Sequence, residues 1–284
     1  MKNTCINFIA KNENCRLAEE VGSQISRKFY RNLKANFLSL KINEEEGDWN
    51  SIVHCGDAIT IYYMVDDEID WSLYPSKLDV IFEDANYLIV NKRKGLLSIP
   101  TKGEPYSLYQ EVLYYLKSTN QELNCSLLNR LDKDTRGLVL VAKNRLAAYY
   151  MSPTHEHMER RYLCLCEGIF DEKSGTIKTF IDKLDNSHTR VISQNSGKIA
   201  ISHYRVIEEY KNSSLVEFVL ETGRTHQIRL HTKYLSHPIL GDILYGNGEY
   251  ADGLELCSYK ISFIHPFTNE KIEFEIKPNF IIEN

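Results

Sequence analysis

Apolar positions change period several times along the chain, and the changes divide it. Residues 17–25 and 27–40 repeat their apolar side chains at helical spacing, which predicts two short helices. Residues 52–64 follow, with Gly56 and Asp57 suited to a turn ahead of an alternating strand. Residues 1–64 therefore predict a small α plus β unit, and the polar, acidic stretch 65–77 predicts a linker. Beyond it, residues 78–82 and 87–91 alternate as two strands joined at 84–86. Leu108, Val112, Leu113 and Leu116 form the core-facing stripe of a helix over 108–117. Residues 138–142 are a continuous aliphatic run, the pattern of a buried strand. Residues 144–151 predict a helix, and a strand beginning at Tyr162 carries Cys164 and Cys166 on alternate positions. Between 175 and 210, Asn186, Ser187, Asn195, Ser196 and Gly197 punctuate an antiparallel region. Residues 215–220 give a strand, and Thr225 is placed to cap a helix reaching about Ser236.

Composition bounds what these elements can build. With 284 residues, 43% hydrophobic and 26% charged, the chain predicts one large domain and one small one. It shows no signal-peptide pattern and no apolar run near the roughly 18 residues of a membrane span, so a soluble, cytoplasmic protein is expected. Its seven cysteines include no CxxC pair and are expected to be reduced, mostly buried thiols. A net charge of −5 argues against a general nucleic-acid binder, but distribution changes that picture. Residues 23–41 contain Arg27, Lys28, Arg31, Lys34 and Lys41 and no acid. They predict either a basic RNA-facing surface or a solvated helix face.

The stretch with the most chemistry is NRLDKDTRGLVLVAK, residues 129–143. A short polar loop carries Asp132 straight into the buried strand, with Arg130 and Lys133 close enough in sequence to favour its ionised form. Asp132 can be a nucleophile; Asp132 and Asp134 can equally be turn residues ahead of the strand. Arg229 lies four residues after Thr225 and three before Thr232, on one helical face, where a surface salt bridge is the ordinary role. Other chemistries are excluded. His226, His231 and His237 are not spaced to share a helical face as ligands, HEH at 155–157 is not HExxH, and neither GxxxxGK[ST] nor GxGxxG occurs. Asp66, Asp67, Glu68 and Asp70 read as solvated charges in the linker. No metal and no cofactor is expected.

Residues 130–138, RLDKDTRGL, together with TGRTHQIRLH at 222–231, HPILGD at 237–242, and then Tyr245 and Gly246, resemble the signatures of the RluA-type pseudouridine synthases. RYLCLCEG at 161–168 and DANYLIVNKRKGLLSIP at 84–100 are similar to two further segments of that family, so the resemblance covers residues 79–280. It implies a mixed α/β (α+β) catalytic domain over 78–284 with a predominantly antiparallel sheet. Residues 1–64 are similar, more weakly, to the S4-like RNA-binding module, with Arg27, Lys28, Arg31 and Lys34 as its RNA contacts. The implied reaction isomerises a uridine of ribosomal or transfer RNA to pseudouridine in a monomeric enzyme without a cofactor. By resemblance, Asp132 is the catalytic carboxylate, Tyr162 stacks on the flipped-out base, and Arg229 pairs with Asp132. Arg130 fills the vacated space in the RNA or meets phosphate, with Arg224 as a further RNA contact; Lys92, Arg93 and Lys94, ahead of Gly95 and without an acidic neighbour, read from the residues either as a phosphate contact through Lys92 or as an exposed basic turn. The chain departs from the family pattern at Arg136 (usually serine), Asn129 (commonly histidine) and Arg93 (usually proline). These departures keep a second expectation open, a catalytically silent RNA-binding or ribosome-assembly protein of the same fold.

Overall fold

A computed structural model describes residues 2–25, 27–65, 73, 75–101, 104, 106–151, 158–184, 189–248 and 253–280. The chain divides into two compact units, Met1–Trp71 and Ser72–Asn284.

In the first unit the elements are β1 (Lys2–Ile9), β2 (Cys15–Arg16), α1 (Leu17–Gln24), α2 (Arg27–Ala35), β3 (Phe37–Ile42), β4 (Glu45–Glu46), β5 (Ile52–Val53) and β6 (Ala58–Val65). One sheet runs β1-β6-β3-β4, and β2 pairs with β5. Alternation along β6 buries Ile59, Ile61 and Tyr63 against Leu17 and Val21 of α1, Leu33 of α2 and Leu40. The second helix stops at Ala35, five residues short of the expected end at 40. Phe37–Ile42 is a strand because β6, paired to β1 on one edge, takes β3 on the other. Local periodicity cannot register that demand. On α2, Arg27, Arg31 and Lys34 are exposed at spacings that share one face, and the Lys34 ammonium lies 5.1 and 5.0 Å from the rings of Tyr30 and Trp49. The side chain of Lys28, the acids at 66–70 and His155 with His157 lie outside the described residues.

The second unit contains β7 (Val80–Glu83), β8 (Tyr87–Lys92), α3 (Leu108–Ser118), β9 (Ser126–Leu127), β10 (Arg136–Ala142), α4 (Arg145–Met151), β11 (Glu159–Glu167) and β12 (Ser174–Lys183). It continues with β13 (Arg190–Ser193), β14 (Lys198–Glu209), β15 (Ser213–Leu220), α5 (Gln227–Tyr234), β16 (Leu256–Ile264) and β17 (Lys271–Glu275). Its sheet runs β13-β12-β14-β15-β11-β16-β10-β8-β7, with β17 on β16 and β9 on β10. The pairings are antiparallel apart from β10 with β16, so the architecture is mixed α/β with a predominantly antiparallel sheet. One core packs Leu88, Val90, Val139 and Val141 against Leu108, Val112, Leu113 and Leu116 of α3 and reaches Tyr162 and Phe218. A second, around Ile89, Leu138, Leu140 and Ile261, receives Ala147 and Met151 of α4. β10 is buried on both faces, as its unbroken aliphatic run requires.

The centre of this sheet depends on one close approach. β10 and β16 touch in parallel at Arg136↔Cys257 and Gly137↔Ser258. A Cβ on Gly137 would stand 2.3 Å from the Ser258 carbonyl oxygen, and its φ is +117°; only glycine satisfies both. That contact sets where the loop before β10 emerges.

Each unit holds its own buried cluster, so residues 72–284 expressed alone should keep a cooperative unfolding transition. Loss of that transition in a urea melt would show that the first unit completes the core of the second.

Candidate active site

The polar loop of 129–135 runs beside the sheet without pairing into it, so side chains hold it. Asn129 is buried and takes the place of a strand neighbour: its Oδ1 accepts from Leu140 N–H at 2.8 Å and its Nδ2 donates to Leu138 O at 3.2 Å. Ser98 grips Leu131 from both sides, its Oγ accepting from Leu131 N–H at 2.9 Å and donating to Leu131 O at 2.6 Å. Thr135 N–H closes a turn on Asp132 O at 3.2 Å. Lys92, 1% exposed, donates to three carbonyls: Leu96 O at 2.7 Å, Lys133 O at 2.9 Å and Arg93 O at 3.0 Å. Burial pulls its ammonium down to about 8, against the opposing pull of Asp134 and Asp132. The expected RNA contact at Lys92 is therefore corrected: its three donors are spent inside the protein, and the residue anchors the loop.

Neighbouring cations are also committed. Arg93 clasps Glu111 through Nη1 at 3.0 Å and Nη2 at 2.7 Å. Lys94 and Arg136 share the buried Glu255 at 2.8 and 3.0 Å, and Arg136 also donates to Asn279 O at 2.7 Å. The residue that departs from the usual serine is thus a latch between the start of β10, the start of β16 and the chain near 279.

The loop opens onto a cleft of about 590 Å³ lined by Asp132, Arg130, Tyr162, Arg224, His226 and Arg229, among others. Tyr162 sits on β11 opposite Ser258, where β16 carries one extra residue, Tyr259, so the bulge falls on β16 and the alternation of β11 runs through unbroken. It is 6% exposed, and burial raises its phenol while Arg160 pulls it down. Arg130 is exposed on the loop, and Arg224 is half-buried, its Nε donating to Ile199 O at 2.9 Å. The structure thus brings Asp132, Tyr162, Arg229, Arg130 and Arg224 to one cleft, whereas Arg27, Lys28, Arg31 and Lys34 belong to the other unit.

Arg229 differs from expectation in its partner. Its Nε and Nη2 donate to Oδ2 and Oδ1 of Asp242 at 2.7 and 2.6 Å, a fork-to-carboxylate pair with both groups buried. Asp242 also accepts from Leu244 and Tyr245 N–H at 3.0 Å each. Burial pulls the guanidinium down, Asp242 more than offsets this, and Asp132 adds a weaker upward pull through space. Asp242 wins because, eight residues beyond the end of α5, it is brought back to meet both guanidinium nitrogens at once.

Among the described residues His226 is the basic group within 4 Å of Asp132, its Nε2 lying 3.9 Å from Oδ2. His226 occupies the helix N-cap position expected for Thr225, with a left-handed φ of 59°, a conformation worth attention in a non-glycine residue. Arg190 N–H donates to Tyr245 Oη at 2.9 Å, and that hydroxyl meets His226 Nδ1 at 2.8 Å. With Tyr245 donating to Nδ1, the neutral ring carries its proton on Nε2, the nitrogen facing Asp132. Burial lowers this imidazole, Asp132 opposes that, and Arg229 and Arg190 add to it. His226 makes no side-chain capping bond to the helix. His231, deeper in α5, is held between Ser202 Oγ at 2.8 Å and Thr179 Oγ1 at 2.9 Å and falls to about 4 by burial; it is structural. Sequence reasoning gave no role to Asp242, His226 or Ser98. Asp242 and His226 lie inside the quoted HPILGD and TGRTHQIRLH segments, which was the available signal; Ser98 left none.

The chain is similar to known proteins over most of its length. A family model described as RNA pseudouridylate synthase matches residues 86–234. An uncharacterised RNA pseudouridine synthase of Bacillus subtilis, YjbO, is 32% identical over 263 residues, covering 90% of this chain and 92% of that protein. Ribosomal large subunit pseudouridine synthase D of Vibrio vulnificus is 30% identical over 237 residues, covering 77% and 73%. The solved structure of human RNA pseudouridylate synthase domain containing 1 shares the fold, with a TM-score of 0.59 at 24% identity over 73% of this chain and 87% of that one.

The pairing of Arg229 is open to test. Asp242→Asn leaves a buried guanidinium without its counter-charge and should cost about 3–5 kcal/mol in urea unfolding. Asp132→Asn, at a partly exposed carboxylate, should cost within about 1 kcal/mol. Equal losses would return the pairing to Asp132.

Lys92 yields a second expectation. Its folded value, about 8, lies below the roughly 10.4 of an unfolded lysine, so over that window the unfolded chain holds the extra proton and stability rises with pH. The loop meanwhile loses a donor and a positive charge near Asp132. Turnover should fall as pH rises through about 8 although stability does not, whereas Lys92→Met should be slower throughout and lack that decline. An unchanged alkaline limb in Lys92→Met would refute the assignment.

Proposed function

The chain belongs to the RNA pseudouridylate synthase family, of the RluA type, and isomerises uridine in RNA; from that premise we propose that its substrate is ribosomal RNA and that Asp132 is its catalytic carboxylate. The observation that carries the site assignment is the charge pattern of the cleft. Among its described lining residues Asp132 is the one carboxylate, set among Arg130, Lys133, Arg160, Arg224 and Arg229. Such a lining attracts phosphate yet reserves one acid for chemistry.

Isomerisation breaks the bond from C1′ to N1, turns the uracil, forms a bond from C1′ to C5, moves the C5 proton off the ring and leaves one on N1. Nothing is consumed. The base must leave its stack and stay captive while detached. In the proposed mechanism Asp132 supplies the anionic oxygen that stabilises or captures the electron-poor C1′. Tyr162, immobilised between β15 and β16, gives the uracil a flat apolar platform. Arg229, fixed by Asp242, contributes positive potential from behind Asp132 without a direct bond to it. His226 is the proton-bearing neighbour of Asp132. Ribosomal RNA is favoured over transfer RNA by the relatives named ribosomal large subunit pseudouridine synthase D. The first unit is proposed to be an S4-like RNA-binding module, on the strength of the exposed Arg27, Arg31 and Lys34 on one face of α2.

Unmodified large-subunit transcript incubated with the protein should gain pseudouridine detectable by carbodiimide labelling, and Asp132→Asn should abolish that gain while binding the transcript normally. Protein lacking residues 1–71 should bind it more weakly, with a shallower salt dependence. Turnover near wild type in Asp132→Asn removes the catalytic assignment, unchanged salt dependence removes the module, and a modified site confined to transfer RNA removes the ribosomal substrate.

A further inference from the structure

Two consecutive arginines on β11 have opposite fates. Arg161 is paired, with Glu159 at 2.5 Å and Glu217 at 3.5 Å. Arg160 makes no ion pair among the described residues, and its buried Nε has no hydrogen-bond partner. Alternation along the strand explains the split: Arg160 shares a face with Tyr162, Cys164 and Cys166, and that face runs from the core into the cleft. A buried donor left unsatisfied is costly; the Nε of Arg136 is also orphaned, but its Nη2 reaches Glu255 and Asn279 O, whereas Arg160 has no bond on any guanidinium nitrogen among the described residues and so is open to a partner from outside the protein.

Its surroundings say which kind. A Cβ on Gly223 would come within 3.2 Å of the Arg160 Nη1, so glycine at 223 leaves the guanidinium uncrowded. Arg224 follows directly and lines the same cleft, steadied by its Nε bond to Ile199 O. Arg160 is half-buried whereas Tyr162, two residues on, is nearly fully buried. A nucleotide whose base lies against Tyr162 would therefore bring its backbone, not its base, to Arg160. The planar guanidinium fork matches a phosphodiester, and no carboxylate competes for it.

We propose that Arg160 is a phosphate-binding residue of the cleft, taking a backbone phosphodiester beside the target uridine with Arg224 as the second cation. It is a positioning residue: it holds the strand while other groups act on the base. The assignment rests on the RNA-isomerase reading of the cleft.

The test is the salt dependence of binding to a labelled single-stranded oligouridylate, measured for the full chain. Removing one phosphate contact should flatten the slope of log affinity against log salt by about 0.7. Arg160→Gln and Arg160→Met should both show this, read from whichever keeps the wild-type urea midpoint. Arg160→Lys should restore the slope while binding several-fold more weakly than wild type, because the point charge remains and the fork is lost. A purely structural arginine would move stability and leave the slope alone. A wild-type slope in the charge-free variants, or no rescue by lysine, overturns the phosphate assignment and leaves the isomerase intact. A wild-type protein that binds the oligonucleotide without salt dependence overturns both.

Discussion

The constraint on which the site depends is that its loop cannot be held by a sheet. Residues 129–135 must turn Asp132 towards the cleft, so their backbone is withdrawn from the ladder that fixes Arg136–Ala142 immediately afterwards. Polar backbone groups near a core still need partners, and three side chains provide them: Asn129 alongside β10, Ser98 around Leu131, and the Lys92 ammonium beneath Lys133. Lys92 comes from β8 and Asn129 leans on β10, while Ser98 belongs to the segment between β8 and α3. Rigidity is thus borrowed from β8 and β10, and the close contact of Gly137 with Ser258 decides where it is delivered. Preorganisation of this kind is what the catalytic role proposed for Asp132 requires.

The electrostatics follow the same division. The chain carries a formal charge of −5, yet the cleft is dominated by arginine. Acids away from the cleft neutralise cations that sequence alone would leave free: Glu111 holds Arg93, Glu255 holds Lys94 and Arg136, and Asp242 holds Arg229. Among the described residues Arg130 and Arg160 make no ion pair, and both line the cleft. Net charge therefore says little about the field a substrate meets.

Much of this was legible in the sequence, for reasons that can be stated residue by residue. The aliphatic run at 138–142 and the stripe of Leu108, Val112, Leu113 and Leu116 encode burial directly, because period and apolarity are local properties. The strand Phe37–Ile42 was not legible, since only the unpaired edge of β6 makes it one. The basic cluster Lys92, Arg93 and Lys94 looked like a phosphate patch, yet one member is buried and two are paired, through carboxylates 18 and 161 residues away. Arg229 was expected to meet Asp132 or a surface acid, and its actual partner, Asp242, 13 residues on, emerged only from the folded chain. The elements were readable; the partnerships of charged side chains were not, because they join distant segments.

The buried Lys92 ammonium carries a consequence for laboratory evolution. An interior cation with no acid bonded to it costs more to desolvate than an apolar side chain, even though its bonds hold the carbonyls of Arg93, Leu96 and Lys133. A selection that scores survival at high temperature, blind to turnover, would drift towards a hydrocarbon side chain at 92 and enrich well-folded, inert proteins. Stability and activity are set against each other at this one position, so libraries built from this scaffold should hold it constant or screen for both traits at once.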